Sequence, residues 1–470
     1  MNFQRAKTLG ICHAALFFAI LAASAALLYC TAVLGLQIPM PAFFLLDGLA
    51  VFFIFVIAMV GFAAAVYSID YISRDVQLGR FSERKAVMYY VLFDLFIFSM
   101  LFVVAVNNLG FMWAAMEMTT LVSAFLVGFY RTKQSIEAAW KYIIICSVGI
   151  VLALLGTLLF SYAMAEAGGP RSLNWVDLFS AAGGMDKNIV RIAFIFILVG
   201  YGTKAGLAPL HSWLPDAHSQ ALAPISALLS GVLLKTALYA IIRFALITNK
   251  CLGSADYFSH LMIPFGLVSL GIAAGFLLVQ KDLKRLLAYS SIEHVGIICV
   301  GLGIGGPIAS LGVLLHILNH ALTKSLMFFG AGAIVNGYDK HNMRLIRGAM
   351  HVMPFTAGMF LAGAFAITGF PPFSIFMSEL LIIIAGFLKG AYAVMAVVLF
   401  FLVLSFGAVI YHISRIVFGR QPAGQARISE PCATRIAYLF LIVFIIVLGL
   451  AIPWVLSEGI VAAGLIMRGI

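Results

Sequence analysis

The chain has 470 residues, of which 63% are hydrophobic and only 10% charged, and its formal net charge is +11. Soluble domains are about 45–50% apolar and about 25% charged. The composition therefore excludes a soluble globular protein and predicts an all-α, polytopic membrane protein. A basic excess of this size could indicate nucleic-acid binding, but its distribution along the chain argues against nucleic acid as a partner.

Polar breaks divide the sequence into thirteen apolar stretches. Each is long enough to cross roughly 30 Å of hydrocarbon, which takes about 20 residues. They leave no room for a soluble domain, so residues 1–470 are predicted to form one membrane domain, and any redox or hydrolytic module is expected in a partner. The stretches are residues 8–34, 43–68, 87–106, 109–130, 136–163, 189–208, 222–245, 258–279, 287–304, 308–334, 352–388 (interrupted), 391–414 and 434–456.

Basic residues fall mainly on one side of this thirteen-span topology. That side holds Arg5, Lys7, Arg74, Arg80, Arg84, Lys85, Arg131, Lys133, Lys281, Lys284, Arg285, Lys340, Arg344, Arg347, Arg415, Arg420, Arg427 and Arg435. The other side holds only Arg171, Lys187, Arg191, Lys250, Lys389 and Arg468. Because basic loops stay in the cytoplasm, the pattern predicts a cytoplasmic (inner) membrane protein with its N-terminus inside and its C-terminus outside.

The first apolar stretch is too long for a signal-peptide core and lacks a clear cleavage site, which predicts a retained helix. The six cysteines are scattered without a CxxC pair, and the sequence contains no GxxxxGK[ST] loop. These features indicate neither an iron–sulfur cluster nor an ATP-driven motor. We therefore predict that the chain carries no cofactor of its own.

Five apolar stretches carry an ionisable residue well inside the span, in chain order Glu117, Lys204, Lys235, Lys324 and Glu379. Inserting such a group costs at least about 2.5–3.5 kcal/mol, and it marks a functional site by default. The three lysines lie too deep to snorkel easily to the surface. We interpret these residues, together with His294, as a path for proton translocation across the bilayer midplane.

Other ionisable residues have plainer interpretations. Glu137 and Lys141 are spaced i, i+4 near the start of their helix, so they form either a local ion pair or an accessory part of the path. Asp47 near a helix start is interpreted as a helix cap or loop contact. Arg243 is predicted to snorkel to the surface.

Four further histidines are accessory candidates. His316 and His320 share one helical face at i, i+4 spacing. Two histidines could bind zinc, but a third ligand is missing from the pattern, so hydrogen bonding or proton relay is favoured and no metal is predicted. His211 and His218 lie seven residues apart, and the intervening Pro215 makes their alignment on one helix face doubtful.

Two stretches contain helix-breaking residues beside a buried charge. Pro209 and Pro215 follow Lys204, and Glu379 is preceded by Gly369, Pro371 and Pro372. Interrupted spans that carry charges are typical of transporters built from inverted repeats. The backbone groups freed at each break need internal partners or water.

The two breaks fall in the sixth and eleventh stretches, five helices apart. An odd offset inverts the topology, so residues 87–245 and 258–414 are predicted to be two inverted five-helix repeats. The protonation of a buried lysine also depends on nearby carboxylates. Lys204 and Glu117 would therefore act as a switch if they approach each other.

A family resemblance is carried by GYGTKAGLAPLHSWLPDAHSQALAPISALLSGVLLKTALYAIIRF, QKDLKRLLAYSSIEHVGI and HILNHALTKSLMFFGAG. These segments resemble the antiporter-like proton-pumping subunits of respiratory complex I and of the Mrp sodium/proton antiporters, over residues 43–415. Within that superfamily, NNLGFMWAAMEMTTLVSAFLVGFY and SIEAAWKYIIICSVGI look most like the F component of hydrogenase-4 and its counterparts in membrane-bound nickel–iron hydrogenases.

The resemblance implies roles for single residues. Glu117 would pair with Lys204, Lys235 and Lys324 would continue the path, and Glu379 would be the exit residue, where some family members carry lysine. His294 would lie between them on the central hydrophilic axis. The family usually has fourteen helices, and the first of them has no counterpart among the thirteen predicted here.

We therefore predict a membrane subunit of a hydrogenase-4 or NADH-dehydrogenase-like complex that moves protons, with sodium exchange left open. Electron transfer in peripheral nickel–iron and iron–sulfur partner subunits would drive it, since the chain has no redox centre of its own. The alternative is a stand-alone Mrp-type sodium/proton antiporter subunit without a redox partner. A third interpretation is a membrane scaffold whose pump residues are vestigial.

Overall fold

The computed structural model describes residues 3–36, 42–420 and 426–469, and it confirms the prediction of an all-α polytopic fold. Twelve helical segments in these ranges are long and apolar enough to cross a membrane. The helices are α1 Phe3–Ala32, α2 Gly48–Gln77, α3 Glu83–Ala105, α4 Leu109–Val127, α5 Lys133–Glu166, α6 Trp175–Ala181, α7 Lys187–Ala205, α8 Trp213–Gln220, α9 Ala223–Leu228, α10 Leu234–Leu252, α11 Asp256–Val279, α12 Leu283–Ile304, α13 Pro307–Tyr338, α14 Ala349–Val352, α15 Pro354–Ile367, α16 Ser374–Leu388, α17 Tyr392–Phe418, α18 Cys432–Leu450 and α19 Trp454–Met467.

The long helices follow the predicted spans in order. The sixth predicted span ends early, at Ala205, and a turn then leads into the short helix α8. The eleventh is divided into α15 and α16, neither of which is long enough to cross alone. Both predicted interruptions are therefore present in the backbone.

A third interruption, which the sequence analysis did not predict, lies in the last crossing. At the start of α18 the Thr434 backbone N–H donates to Asp70 Oδ2 near the end of α2, at 2.8 Å. Further along α18, Gly449 packs directly against the backbone of Pro372. After a break at residues 451–453, α19 continues to the other end of α2, where Ala462 contacts Gly48. Pro453, which has no backbone N–H to donate, lies immediately before α19.

Burial separates central helices from peripheral ones. In the most apolar part of each helix, the segment formed by α9 and α10 is 100% buried and α12 and α13 are each 94% buried, whereas α1 and α17 are only 28% buried. The central segments are those that carry Lys235, His294, His320 and Lys324. Side chains on them are therefore surrounded by protein rather than lipid.

Arg243 does not snorkel, so that prediction is wrong. It is 1% exposed, and its guanidinium donates to Asp47 Oδ2 at 2.7 Å and to Oδ1 at 2.6 Å. Its Nε donates to the Tyr239 hydroxyl at 2.9 Å, and the guanidinium lies over the Trp175 ring. Asp47 also accepts from the Ala50 N–H and caps α2, as predicted. This buried ion pair ties the start of α2 to α10.

Candidate functional site

The first helix break places Lys204 at the end of α7. This helix ends at Ala205, and Gly206 follows in a left-handed conformation with φ 77°, which glycine adopts without steric cost. Lys204 is in the last turn and is fully buried. The negative end of the helix dipole favours a cation at this position.

The Lys204 ammonium is held by hydroxyl groups. Its Nζ donates to Thr120 Oγ1 at 2.6 Å and to the Tyr142 hydroxyl at 2.8 Å. The Tyr142 hydroxyl in turn lies 2.7 Å from Ser123 Oγ. These hydroxyl partners are neutral, and within residues 3–36, 42–420 and 426–469 no carboxylate lies within 4.0 Å of the lysine ammonium.

Glu117 lies near this lysine but does not pair with it directly. Glu117 is half-buried and its Oε1 accepts from Ser147 Oγ at 2.7 Å. Between these two described residues no ion pair forms within 4.0 Å, although Glu117 is only three positions from Thr120 on the same face of α4. The two predicted partners are thus neighbours without a direct ion pair, and each is hydrogen-bonded to hydroxyl groups of its own.

A π turn at Leu229–Leu233 separates α9 from α10 and positions Lys235. The Lys235 ammonium donates to the carbonyl oxygen of Ser230, a residue within that turn. It also lies 2.6 Å from His320 Nδ1 on α13. Such π turns inside helices occur frequently at functional sites.

Three histidines continue from Lys235 toward the second break. The ring centroid of His320 lies 4.8 Å from that of His294, and His294 Nδ1 lies 3.0 Å from His316 Nε2. His316 Nδ1 then lies 3.0 Å from Ser378 Oγ on α16. The structure therefore brings predicted residues of α10, α12 and α13 into one contiguous polar cluster.

Glu379 ends this cluster at the second helix break. Its Oε1 lies 3.9 Å from His294 Nδ1, and the residue is 7% exposed. Its other carboxylate oxygen lies against Gly369, where a Cβ atom would overlap it. Gly369 has φ 67°, so glycine is favoured there both by conformation and by space.

Lys324 and His218 lie off this line of contacts. The Lys324 ammonium donates to the carbonyl oxygen of Leu287 at 2.8 Å. His218 is fully buried and stacks on the Phe328 ring at 4.9 Å between centroids. His211 is half-buried, and its ring centroid lies 6.3 Å from that of Tyr289.

Glu137 and Lys141 form a local ion pair at the surface, which was the first of the two interpretations given for them. Lys141 Nζ lies 2.7 Å from Glu137 Oε1 and 3.4 Å from Asp216 Oδ2. Asp216 also binds Arg285 at 2.6 Å. These exposed pairs join α5, α8 and α12 beside the first break.

Several site residues were missed from the sequence. The hydroxyl partners Thr120 and Ser378 have no distinguishing signal, because Ser and Thr side chains commonly bond carbonyls of their own helix, as these two also do. Tyr142 is one of many aromatic residues in the spans. Glu293, which is 4% exposed and precedes His294, was visible in LAYSSIEHVGI as a charge inside a span. By the depth argument applied to the other five residues, it belongs among the candidates.

One group in the cluster has the donor set of a metal site. His294, His316 and Glu379 each offer a ligand atom, and these atoms lie within 4.8 Å of one another. Two imidazoles and a carboxylate are ligands that zinc accepts. A metal would have to replace the contact between His294 and His316, whose hydrogen-bonding geometry already suits proton relay.

Comparison with known protein families gives two matches. The family described as NADH:quinone oxidoreductase/Mrp antiporter, TM, matches residues 106–405, and NADH-Ubiquinone oxidoreductase (complex I), chain 5 N-terminus, matches residues 34–82. A hydrogenase-4 component F homolog of Methylacidiphilum infernorum (isolate V4) is 41% identical over 83% of this chain and 81% of the relative. NADH-quinone oxidoreductase subunit N of Desulforudis audaxviator (strain MP104C) is 34% identical over 75% of this chain and 68% of the relative.

Two solved structures share the fold. A chain of the membrane-bound sulfane sulfur reductase, an archaeal respiratory membrane complex, superposes with a TM-score of 0.84 at 27% identity and covers 97% of this chain and 91% of its own. A chain of the Mrp complex from Dietzia sp. DQ12-45-1b gives a TM-score of 0.84 at 21% identity, with coverages of 98% and 92%. Both relatives are subunits of multi-subunit membrane complexes.

Proposed function

This chain belongs to the NADH:quinone oxidoreductase/Mrp antiporter family of membrane subunits, and from that premise we propose that it conducts protons along its buried Lys, His and Glu side chains. It is an antiporter-like, ion-translocating subunit of the complex I and hydrogenase type. The proposal is carried mainly by one observation: Lys235, His320, His294, His316 and Glu379 form a line of neighbouring titratable groups in the buried core.

In the proposed path, Lys235 exchanges a proton with His320 over their 2.6 Å contact. The proton then passes among the imidazoles, each of which has one nitrogen that can accept and one that can donate. Glu379 receives it at the second break. On the other side of Lys235, Lys204 and its hydroxyl partners form the segment connected with Glu117.

A cavity of about 680 Å³ supports an exit on the side of the molecule where α10, α12 and α16 end. It is lined by Lys250, Lys389 and Arg468, and its inner wall includes Gly301 and Val313. Val313 is about one turn of α13 before His316, so the cavity wall approaches the histidine cluster along this helix. We propose that water in this cavity takes up the proton released from the cluster.

Electron transfer in partner subunits is the proposed driving force. The relatives bear the names of hydrogenase-4 and NADH-quinone oxidoreductase subunits. Peripheral nickel–iron and iron–sulfur subunits are accordingly the proposed partners. The basic loops support an orientation with the N-terminus inside. The first part of α1 lies near one end of α2, where Gly10 contacts Ile69, and α19 lies at the other end, where Ala462 contacts Gly48. This placement supports termini on opposite sides of the membrane.

The alternative is an Mrp-type sodium/proton antiporter subunit without a redox partner, which the match to the Mrp part of the family favours. The two readings differ in what drives transport. Proton uptake that needs an electron donor supports the redox-driven complex. Uptake driven by a sodium gradient alone supports the antiporter.

The deciding experiment replaces Lys204 by alanine in the assembled complex, reconstituted in vesicles, and records proton uptake with and without sodium. Loss of a positioned proton carrier should lower uptake about 100-fold, in the range found for removal of acid–base groups. The exposed Lys141→Ala is the matched control. Unchanged uptake by Lys204→Ala with normal assembly would mean that the buried charges are vestigial and the subunit is a scaffold.

A further inference from the structure

A second charged cavity lies away from the ion path, where α11 and α17 end. It has a volume of about 410 Å³, and its lining includes four cations, Lys281, Arg344, Arg347 and Arg415, together with His412. We call it the basic pocket. It lies on the side that carries most of the basic loops, opposite the exit cavity, and its lining contains none of the residues of the proposed proton path.

Backbone pairing fixes one wall of the basic pocket. The Met343 N–H donates to the Lys281 carbonyl at 2.8 Å, and Asp282 and Asn342 form an antiparallel bridge. The Asn342 side chain then accepts from the Arg344 N–H at 3.0 Å and caps a short 3-10 turn. Lys281 and Arg344 are thus held close together although like charges repel.

The other wall is formed by α17 and the segment before α14. The Tyr338 hydroxyl donates to the Arg347 carbonyl at 2.8 Å, and the stem of Arg347 packs on Gly419. Arg415 donates to the Tyr411 hydroxyl at 2.6 Å, and a guanidinium has further N–H groups that can donate to an anion. Protein contacts therefore hold the backbone and stem of Arg347 and the guanidinium of Arg415 at the wall of the cavity.

The acids closest in sequence are engaged elsewhere. Asp282 accepts from the Arg285 N–H at 2.9 Å to cap α12, and it lies 3.8 Å from His341. Asp339 lies 3.9 Å from Arg80. Over residues 3–36, 42–420 and 426–469, none of the four cations of the basic pocket has an acidic partner within 4.0 Å. The pocket therefore has a net positive charge that an anion would neutralise.

The surroundings of the pocket are apolar and outward-facing. Leu278 and Val279 at the end of α11 are 51% and 66% exposed, and Phe418 at the end of α17 is 63% exposed. A ligand in the basic pocket thus has charged groups on one side and a lipid-facing surface on the other. A free phosphate would use only the charged part.

We propose that the basic pocket binds the phosphodiester headgroup of an anionic phospholipid, whose acyl chains lie along α11 and α17. The arginines of the pocket, Arg344, Arg347 and Arg415, can present N–H donors to phosphate oxygens. Clusters of basic residues on the cytoplasmic side of membrane helices attract anionic lipids by about 1 kcal/mol per Lys or Arg. A diphosphatidylglycerol presents two phosphates to the four cations, whereas a phosphatidylglycerol presents one.

The test compares lipid binding by the full chain and by an Arg344→Ala, Arg347→Ala double variant in native mass spectrometry and thermal-shift assays. Both arginines are exposed, so the variant should fold. The control is an Arg84→Ala, Lys133→Ala double variant, which removes the same charge from exposed positions outside the pocket. The probes are diphosphatidylglycerol, phosphatidylglycerol, phosphatidylcholine and inorganic phosphate.

We expect the pocket variant to bind diphosphatidylglycerol roughly 30-fold more weakly than the wild type, because it loses two cations, and the control to bind normally. Equal binding of phosphatidylcholine, or an unchanged affinity of the pocket variant, would overturn the proposal. Inorganic phosphate that competes with the lipid at equal concentration would instead identify a free-anion site. Cross-links from Lys281 to an acidic segment of another subunit, with no lipid retained in the assembled complex, would also overturn it.

Discussion

Buried cations are held differently in two regions of the molecule. At the start of α2, Arg243 has a carboxylate partner in Asp47, with two hydrogen bonds of 2.6 and 2.7 Å. In the middle of the bundle, Lys204, Lys235 and Lys324 are bound by hydroxyl groups, an imidazole and carbonyl oxygens. All four residues are almost fully buried, so burial alone does not distinguish a structural charge from a functional one.

The two regions differ in whether the buried cation can release its proton. An arginine stays protonated, so Arg243 is a fixed charge that its two hydrogen bonds to Asp47 hold in the scaffold. A lysine among neutral partners has no fixed counter-ion, and its charge depends on proton occupancy and on the groups around it. Glu379 is the acidic counterpart of these lysines. Its carboxylate lies against Gly369 at the second break and 3.9 Å from His294, and neither contact is an ion pair with a lysine or an arginine.

Breaking the scaffold pair should give the largest loss of stability. Asp47→Asn keeps an N-cap side chain for α2 but leaves the Arg243 guanidinium buried without a counter-charge. Removing one partner of a buried ion pair costs about 3–5 kcal/mol. The measurement is the free energy of unfolding of the purified chain in a denaturing-detergent titration.

The control for this change is Asp186→Asn. Asp186 caps α7 at an exposed position, where it accepts from Asn188 and Ile189 and has no buried cation to neutralise. Its replacement should leave the unfolding transition in place. If both variants unfold alike, Arg243 tolerates the loss of its partner and the contrast between the two regions disappears.

A smaller but more specific effect is expected from Gly369→Ala. The left-handed conformation costs an alanine about 1–2 kcal/mol, and overlap of its Cβ with the Glu379 carboxylate adds about 1–3 kcal/mol. The variant should therefore lose stability and, because Glu379 is pushed from His294, also proton uptake. Stability is measured by detergent unfolding and uptake in vesicles.

Gly168→Ala separates these two contributions. Gly168 has a similar φ of 74°, but its Cβ position is open space. It should show only the conformational cost and normal uptake. A Gly369→Ala variant with the same stability loss as Gly168→Ala and unimpaired uptake would show that the carboxylate is not held by the shape of the break.

Replacing a mid-membrane lysine should change stability little. In Lys204→Met an apolar side chain of similar length replaces the ammonium, and the partner hydroxyls keep Ser123 and the Met116 carbonyl. Replacing buried charges by apolar groups is often neutral, so we expect a change in unfolding free energy of under about 1 kcal/mol. A loss as large as that of Asp47→Asn would place Lys204 among the structural charges.

The sequence revealed the buried charges because each is an outlier inside an apolar span, and the two proline-rich breaks because proline lacks a backbone donor. Their partners were harder to predict, since contacts such as Lys204 with Tyr142 depend on how separate helices pack. Arg243 was assigned to the surface because it lies near the end of its span. Its actual partner, Asp47, is 196 positions away in the chain.

Two further misses have local causes. The break before α19 contains a single proline, Pro453, within an apolar context, so the predicted span 434–456 ran through it and ended soon after it. Glu293 and His294 are adjacent in sequence, and adjacent helical residues point in different directions. Assigning one of them to the path gave no information about the other.

The smallest effect is expected at the surface, from Lys141→Ala. Lys141 pairs with Glu137 and Asp216, but its side chain is 49% exposed and that of Glu137 is 58% exposed, so water screens the interaction. Asp216 also retains Arg285 at 2.6 Å after the change. Unfolding and proton uptake should both match the wild type. If uptake falls as far as in Lys204→Ala, the exposed cluster beside the first break is part of the path. Exposed charges, and not only buried ones, would then take part in proton transport.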